Sequence, residues 1–315
     1  MSEIYEIAVI GRATWQLHSL NNEGTVGNVT EPRSVRIIDP NTKKAVTTDG
    51  VSGEMLKHMH TEIMWILADK NNLCDACKVL NPEKFNFTIK TKKVTTKTVE
   101  NALKQALETC DICDTQGFLL ERPTASRKST IEFGWALGIP EIYRDIHTHA
   151  RHALGEKGRS KDQEGEEVEG ISTQMVYHRP TRSGVYAVIS VFQPWRIGLN
   201  EARQNKYTYD ADETKRERRY KLALKAYKLL FARPEGAMTT TRLPHVEDFS
   251  GVIVYSTESI PVPVISPLKD DYITEIKTIA GSLEGSLKVV EFDSIADFAT
   301  KMGQLTNNKP YKMKF

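Results

Sequence analysis

Loose alternation of hydrophobic and polar residues over 5–17 predicts an opening β-strand. An Asn- and Gly-rich loop over 21–33 follows it, and 34–38 is predicted to be a short strand that ends in a turn at 39–41. Ser52 is a candidate N-cap for the first long helix. The apolar residues of that helix fall on one face, as amphipathic packing requires: Leu56, Met59, Ile63, Ile66 and Leu67.

The rest of the chain contains short apolar segments and one further strong helix. Asp210 followed by Glu213 has the spacing of a capping box, and Tyr220 lies on the apolar face of the helix that this box would start. We expect 171–177 and 185–192 to form a hairpin joined by 178–184. Strands are predicted, in chain order, at 118–120, 130–137, 171–177, 185–192, 252–255 and 262–265.

The four cysteines stand in two Cys-x-x-Cys pairs, Cys74/Cys77 and Cys110/Cys113, separated by a Lys- and Thr-rich stretch and a short helix over 99–107. Four thiolates in two such pairs supply the ligands of a tetrahedral Zn²⁺. Two disulfides and a redox-active dithiol are the alternatives, but thiols stay reduced in the cytoplasm. We therefore predict a structural zinc ion, which four thiolates leave without an open position for water.

The composition excludes several classes of protein. The 315 residues are 39% hydrophobic and 27% charged, which excludes a disordered chain. Because 43 Lys+Arg face 41 Asp+Glu, the net charge is +2, and the chain as a whole is not a polycation, although local basic patches remain possible. The longest apolar stretch, 185–192, is far shorter than the about 20 residues of a membrane span. No secretory leader is visible, and we expect a cytoplasmic protein without membrane contact.

Once insertions are left aside, the predicted order is strand, helix, strand, strand, helix, strand. This is the ferredoxin-like order that RNA-recognition folds also use. We therefore predict an α+β fold with an RNA-recognition-motif (ferredoxin-like) core, interrupted by large insertions of which one is clasped by zinc.

Several ordered segments also resemble one known family. They are 18–24 (HSLNNEG), 49–53 (DGVSG) leading to 55–58 (MLKH), 133–136 (FGWA), Gln174-Met175-x-Tyr177, 183–186 (SGVY) and 245–251 (HVEDFSG). Together they resemble the backbone subunit of type I CRISPR interference complexes, and more narrowly the archaeal type I-A branch of the Cas-seven/DevR group.

The resemblance implies an RNA-recognition-like core with lid and thumb insertions. It implies that several copies polymerise as a helical filament along one CRISPR RNA, grip its backbone, kink it periodically and leave its bases free to pair with target DNA. Further expected partners are a Cas five-type cap, a small subunit and a helicase-nuclease. The corresponding segments are 1–71 (first part of the core), 72–116 (zinc-clasped insertion), 117–140 (core strands), 141–184 (mobile excursion and thumb hairpin) and 185–315 (remainder of the core).

Candidate guide contacts follow from this resemblance together with residue chemistry. Lys57 and His58 lie in the first turns of a helix whose start can present N–H groups to phosphate. Met175 is a candidate apolar wedge at a kink of the guide, or else ordinary core filler. The predicted RNA-binding residues are Asn22, Asn28, Ser52, Gly53, Lys57, His58, Ser126, Arg127, Lys128, Gln174, Met175, Arg179 and Arg182.

Two other groups of residues have open interpretations. The lysines of the insertion lie without an intervening acid and are as consistent with a solvated surface as with approach to DNA: Lys84, Lys90, Lys92, Lys93 and Lys97. The histidines His147, His149 and His152 have no identifiable carboxylate partner, so we expect a solvent-exposed cluster rather than a metal site.

We expect no catalytic activity. Related type III backbone subunits cleave RNA with an aspartate in the loop after the first strand, whereas 18–33 contains Glu23 and Glu31 but no Asp. The sequence also lacks a phosphate-binding P-loop and a His-Glu-x-x-His pair. The alternatives are a metal-dependent endoribonuclease of the same (RAMP) superfamily and a DNA-binding autoregulator, as the DevR name suggests.

Overall fold

The computed structural model of the protein describes residues 2–92, 98–122, 124–151, 160–161, 167–168, 175–202, 207–236, 239–283 and 285–315. For residues 91–92, 151, 160–161, 167–168 and 175 it describes the backbone alone. The fold is mixed α/β, with one large sheet and several helices. Among the described helices, none is long and apolar enough to cross a membrane.

The strands are β1 Glu3–Ile4, β2 Glu6–His18, β3 Asn22–Val26, β4 Val29–Pro32, β5 Ser34–Ile38, β6 Ala45–Val51, β7 Phe118–Glu121, β8 Thr124–Arg127, β9 Ile131–Phe133, β10 Ala136–Gly138, β11 Tyr143–Arg151, β12 Ser160–Lys161, β13 Glu167–Val168, β14 Met175–Phe192, β15 Leu199–Asn200, β16 Thr208–Tyr209, β17 His245–Ser256, β18 Leu287–Phe292 and β19 Lys309–Pro310. The helices are α1 Gly53–Leu67, α2 Asp75–Lys78, α3 Phe85–Lys92, α4 Val99–Thr109, α5 Asp111–Gln116, α6 Glu213–Leu230, α7 Tyr272–Ser282 and α8 Ile295–Leu305.

The large sheet has the order β18-β17-β2-β14-β10-β6-β5. At its centre, β2 pairs antiparallel with β17 on one side and with β14 on the other, and β9 pairs antiparallel with the end of β14. The strands β17, β2, β14 and β9 therefore lie side by side in that order. Helices α1 and α6 pack against each other and contribute to the same apolar cluster as β2 and β14.

Alternate side chains of β2 point to opposite faces of the sheet, which is the period of an extended strand. Ile7 and Val9 join the main apolar core with α1, α6 and α8, whereas Ala8 and Ile10 join a second core with α7. Both faces of the central sheet are therefore covered. This explains why β2 is buried over nearly its whole length, with only loose alternation in its sequence.

A separate apolar cluster lies in residues 73–127, and we call the described part of this segment the cysteine lobe. Its core includes Phe85, Leu103 and Ile112 together with all four cysteines. The lobe contains α2 to α5 and the β7–β8 hairpin, and α5 packs against both α1 and α6. The predicted helix over 99–107 is confirmed as α4.

The predicted hairpin of 171–177 and 185–192 is wrong. Residues 175–192 form one strand, β14, because 175–183 pair with β11 on one side and residues from Arg182 to Phe192 pair with β2 on the other. The pairing of β14 with β2 contains a register shift between Arg182 and Gly184. The hairpin that does form consists of β11 and the first half of β14.

Three smaller predictions also need correction. Helix α6 begins at Glu213 with Asp212 as its N-cap, and Asp210 instead accepts a hydrogen bond from the side chain of Asn200 at 2.6 Å. The predicted strand 130–137 is divided into β9 and β10. No strand forms at 262–265, where the backbone N–H of Val262 donates to the side chain of Glu6 at 3.0 Å.

Candidate nucleic-acid interface

The start of α1 is fixed by buried polar contacts. The Ser52 hydroxyl accepts a hydrogen bond from the backbone N–H of Met55 at 3.2 Å, so the predicted N-cap is confirmed. The Ser52 N–H donates to the side chain of Asn21 at 2.8 Å. A Cβ on Gly53 would lie 2.2 Å from the carbonyl oxygen of Phe133, so only glycine permits this approach. Ser52 and Gly53 are buried, and both position the helix start.

Arg182 is fully buried and joins three parts of the chain. Its Nε lies 3.1 Å from Asp49 Oδ2, and its other nitrogens donate to the Asn21 carbonyl at 2.8 Å and to Asn22 Oδ1 at 3.0 Å. Burial raises the pKa of the Asp49 carboxyl, against the opposing effect of the Arg182 charge. Arg182 was predicted to lie in the connection of a hairpin, and it lies instead inside the protein within β14. Its charge is compensated inside the protein, and it holds the Asn21–Asn22 segment.

Aromatic groups complete this buried network. The Tyr186 hydroxyl donates to Asp49 Oδ2 at 3.0 Å and lies 2.7 Å from His18 Nε2. Burial, and secondarily the Arg182 charge, hold the pKa of His18 well below its ordinary value, so this ring is neutral near pH 7. The segments 18–22 and 49–52, which carry part of the family resemblance, are thus joined in space.

The predicted RNA-binding residues Ser126, Arg127 and Lys128 are divided between interior and surface. Arg127 is buried, with its guanidinium 2.8 Å from Asp114 and 2.9 Å from Glu201, so it is not open to a phosphate. Ser126 is exposed. Lys128 is also exposed, and its ammonium lies 2.5 Å from the Glu132 carboxylate. Ser126 and Lys128 alone remain open to a phosphate.

A groove of about 580 Å³ separates α1 from the cysteine lobe. Lys57 and His58 line it from α1, and Lys84 lines it from the lobe. Burial, followed by repulsion from the Lys84 charge, lowers the pKa of Lys57 to about 8. The Lys84 ammonium donates to the backbone carbonyls of Gln116 and Gly117 at 3.2 and 2.7 Å. Two lysines that are distant in sequence therefore face one groove.

His58 is exposed at the same groove. Its Nε2 lies 3.1 Å from the Glu62 carboxylate one turn further along α1. Glu54 and Glu62 also line the groove, so its charge is mixed rather than purely positive. An anion would therefore have to be bound by the lysine side of the groove.

A second polar region lies beside the β11–β14 hairpin. Asn28 is exposed, and its carbonyl accepts the backbone N–H of His178 at 2.8 Å. Arg179 is half-buried and donates from Nη1 to the Thr30 hydroxyl at 2.7 Å. Gln174 and the side chain of Met175 lie outside the described residues, as do Lys93, Lys97, His152 and the side chain of Lys92.

The two described histidines of the predicted cluster lie on β11. His147 pairs through Nε2 with the Thr181 hydroxyl at 2.9 Å, and His149 stacks on Tyr177 with ring centroids 5.3 Å apart. These contacts are to a hydroxyl and an aromatic ring.

The four cysteines meet inside the cysteine lobe. All are buried, and their Sγ atoms lie within 4.8 Å of one another, close enough to bind a metal ion. The Sγ–Sγ distances of 3.7 Å from Cys74 to Cys113 and 3.5 Å from Cys77 to Cys113 match the edge of about 3.8 Å in a tetrahedron with 2.3 Å metal–sulfur bonds. They are much longer than a disulfide bond of about 2.05 Å, and all four cysteines are free.

The local fold brings the cysteines together from short helices. Cys74 precedes α2 and Cys77 lies within it, while Cys110 is the N-cap of α5 and its sulfur accepts the backbone N–H of Cys113 at 3.4 Å. The donor set is entirely sulfur and buried. Such a set suits a structural ion rather than one that activates water.

The sequence did not indicate the surroundings of Tyr177. Its ring stands between the imidazole of His149 and the guanidinium of Arg179. Tyr177 was visible in the segment Gln174-Met175-x-Tyr177, but its neighbours follow only from strand pairing.

Comparison with known proteins now identifies the class. A family model described as "CRISPR-associated negative auto-regulator DevR/Csa2" matches residues 9–277, so this is a CRISPR-associated protein. The chain belongs to the DevR/Csa2 family, and the predicted resemblance to the DevR group is confirmed.

Two solved structures are similar to the chain at 10% sequence identity. One is a chain described as "CRISPR RNA-guided surveillance complex, pre-nicking", with a TM-score of 0.48, covering 98% of this chain and 96% of that chain. The other is Csc2 of Thermofilum pendens, with a TM-score of 0.39, covering 95% and 82% respectively. Among curated proteins, none matches this sequence.

Proposed function

We propose that this protein is a non-catalytic RNA-binding subunit that holds a CRISPR RNA in a type I-A Cascade complex, with several copies along one guide. The observation that carries the proposal is the family match over 9–277, which covers most of the chain. The role is to grip sugar and phosphate while the bases stay available for pairing with target DNA. A gripping subunit of this kind must accept any guide sequence, because base pairing provides the specificity.

We further propose that the core is RNA-recognition-motif-like. The antiparallel order β17-β2-β14-β9, with α1 and α6 packed together on one face, supports this assignment. In a standard RNA-recognition motif, RNA stacks on the open face of the sheet. Here α7 covers that face through Tyr272 and Ile276. The guide should therefore bind at the helix start, the groove and the hairpin instead.

Positive side chains from separate elements form the proposed guide surface. Lys57 and Lys84 face the groove, Lys128 lies on the β8–β9 connection, and Arg179 lies at the hairpin. After burial, the Lys84 charge has the largest effect on the pKa of Lys57, and a phosphate bound between the two ammonium groups that line the groove would relieve their repulsion. Because phosphate contacts are independent of base identity, affinity should depend strongly on salt and weakly on sequence.

We propose that the four cysteines bind a structural zinc ion. Their buried all-sulfur arrangement supports this identity, because Zn²⁺ favours tetrahedral thiolate sites. When bound, the ion would supply structure and no reaction chemistry. By stabilising α2 and α5, the cysteines also fix Lys84, which lies in the lobe and donates to the C-terminal carbonyls of α5.

The non-catalytic assignment rests on the residues after β2. The segment 18–33, which contains β3 and β4, has no Asp, and Asp49 is buried against Arg182. As partners we propose further copies of the chain, a cap subunit, a small subunit, a helicase-nuclease and the target DNA strand. The cytoplasm is the proposed compartment.

Binding of labelled RNA to the full chain tests the proposal. Purified protein should bind single-stranded RNAs of unrelated sequence with similar affinity, and it should leave them intact in the presence of divalent metal. Lys57→Ala and Lys84→Ala should each lower the affinity for all of these RNAs about tenfold. A charge-assisted contact contributes about 1.5 kcal/mol or more to binding. The matched control is Lys277→Ala, whose ammonium is paired with Glu291 on the α7 side.

The alternatives predict different results. Preference for duplex DNA over single-stranded RNA would favour an autoregulator, which is the function that the family description names. Specific metal-dependent cuts would favour an endoribonuclease. A wild-type chain that binds no single strand at all would refute the proposed function.

A further inference from the structure

One of the four tryptophans is exposed. Trp135 is 41% accessible to solvent, whereas Trp15 is buried and Trp65 and Trp195 are half-buried. Tryptophan is highly buried in most folded proteins because its apolar surface is large. Trp135 belongs to the segment 133–136, which carries part of the family resemblance without an assigned role. Its indole is therefore a candidate contact for a ligand.

The backbone on both sides of Trp135 is fixed beside the start of α1. In the antiparallel pair of β10 and β6, Ala136 lies opposite Val51. On the other side, the carbonyl oxygen of Phe133 approaches Gly53 so closely that a Cβ there would lie 2.2 Å from it. Trp135 therefore lies where β6 ends and α1 begins, next to the proposed guide surface.

The indole ring is supported by the sheet and by a cation. A Cβ on Gly50 would lie 3.2 Å from Trp135 Cε3 and 3.0 Å from Val35 Cγ1, so a glycine in β6 leaves space for both side chains. Arg33 lies over the ring with its Cζ 5.6 Å from the centroid, and its Nε is 3.0 Å from the Glu23 carboxylate. The ring stays exposed with these contacts in place. A ring that is already held loses little further side-chain entropy when it binds a ligand.

The extent of the exposed surface indicates the kind of ligand. Val35 is half-buried and Gly50 is buried, so the apolar surface that these contacts leave open is a single ring. A stable protein partner covers about 800 Å² on each side, which one ring does not offer. One ring does suffice for an unpaired nucleobase, since single strands bind by stacking their bases on aromatic side chains. Lys57, about one turn into α1, can supply positive charge for a neighbouring phosphate.

We propose that Trp135 stacks on one unpaired base of the single-stranded guide RNA. The inference rests on the proposed function and adds a base contact to the phosphate contacts of the guide surface. Stacking tolerates any sequence, because every base has a flat aromatic face. It also uses that face rather than the hydrogen-bonding edge, so the edge remains free to pair with target DNA.

Two RNAs that offer the same phosphates test the contact in the full chain. One is an ordinary single strand, and the other has the same length but lacks the base at every nucleotide. Trp135→Ala should lower the affinity for the ordinary RNA about tenfold and leave the affinity for the abasic RNA unchanged. The dependence of affinity on salt should be retained, because no phosphate contact is lost. Trp135→Phe keeps an aromatic ring and should restore most of the affinity.

Tryptophan fluorescence provides a second measurement that does not depend on affinity. Stacking on a base quenches indole emission, so saturation of the wild-type protein with ordinary RNA should lower its emission. Saturation with the abasic RNA should not. Trp135→Phe should abolish this quenching, because the other three tryptophans are less accessible.

Tyr207→Ala is the matched control. Tyr207 is also an exposed aromatic residue, at 46%, but its ring contacts Phe315 near the end of the chain. This variant should bind the ordinary RNA within about twofold of wild type. Equal thermal unfolding midpoints for the variants would show that the fold is intact.

The failures can be told apart. If Trp135→Ala lowers the affinity for both RNAs equally, or for neither, the stacking contact is refuted while the proposed function stands. Loss of self-association with unchanged affinity for ordinary RNA would also refute it and would assign the ring to a protein interface. If the wild type binds no RNA, the proposed function itself is refuted.

Discussion

The central sheet and the cysteine lobe are stabilised by different kinds of interaction. The sheet packs against α6 and α8 through closely spaced aromatic rings, with Phe249 lying 4.0 Å from Phe231 and 5.0 Å from Phe298 between centroids. The lobe has a smaller apolar cluster with four cysteines in it. A small segment buries too little apolar surface to be stable alone and commonly needs a metal. We therefore propose that the lobe depends on a metal ion bound by its cysteines, whereas the sheet core depends on packing.

The junction between the two regions is ionic. Arg219 of α6 contacts Asp111 at 2.7 Å and Asp114 at 2.8 Å, and Asp114 also pairs with Arg127. The side chains of Arg219 and both aspartates are almost completely inaccessible to solvent. The Gly198 N–H donates to the Asp114 carboxylate as well. A buried network of this kind sets a unique docking geometry, and it is costly to break.

Loss of the metal should have the largest effect on stability, and it should destabilise the lobe while the sheet stays folded. Cys113→Ser removes one of four ligands, so the metal content should fall from about one ion per chain to near zero. Binding of structural zinc contributes on the order of 10 kcal/mol, so proteolysis within 73–127 should accelerate sharply. The central sheet should keep its circular dichroism signal.

Chelator treatment of the wild-type chain, followed by addition of zinc, serves as the control for that variant. It should reproduce and then reverse the proteolytic sensitivity. A Cys113→Ser protein that retains its metal, or whose sheet unfolds together with the lobe, would contradict the comparison.

Arg219→Ala should give the second largest effect, because it tests the junction. The substitution leaves Asp111 and Asp114 buried with incomplete compensation, and the free energy of unfolding should fall by about 3–5 kcal/mol. The measurement is chemical denaturation. Arg218→Ala is the matched control, since Arg218 also contacts Asp111 but is about one-third exposed, and it should lower stability by only about 1 kcal/mol. Equal effects would show that burial of the pair is unimportant.

Mild acid should give the smallest effect, at the contact of α1 with α5 and α6. His60 Nε2 lies 3.1 Å from the Ala223 carbonyl, and its Nδ1 lies 3.0 Å from the Gln116 side-chain nitrogen. Burial lowers the pKa of His60 to about 3. The unfolded chain, with an ordinary histidine pKa near 6.5, therefore binds more protons between pH 6.5 and pH 3, and stability falls as the pH is lowered through that window.

Between pH 7.5 and pH 5, the titration of His60 should lower the free energy of unfolding by about 2 kcal/mol. His60→Gln should remove that share of the pH dependence, measured as the free energy of unfolding at several pH values. His58→Gln is the control, because His58 is exposed on the same helix and should leave the pH dependence unchanged. An unaltered acid sensitivity in His60→Gln would contradict the assignment.

The sequence predicted features that depend on neighbouring residues. Ser52 was correctly assigned as a cap, because capping involves groups only three residues apart. The apolar spacing over 99–107 was sufficient to predict α4. The capping box at Asp210 was wrong by two residues, because Asp212 offers the same chemistry and the partner of Asp210 is Asn200. The unusual length of β14 was missed, because its partners β11 and β2 are distant in the chain.

By itself the sequence determined the two Cys-x-x-Cys pairs, the capped start of α1 and the family to which the chain belongs. These are properties of residue identity at short spacing. Only the tertiary structure decided which charges are available to a ligand. It buries Arg127 and Arg182 against distant carboxylates and brings Lys57 and Lys84 to one groove. The physical reason is that a charge can be buried only where a compensating partner lies close in space, and a linear sequence does not specify that proximity.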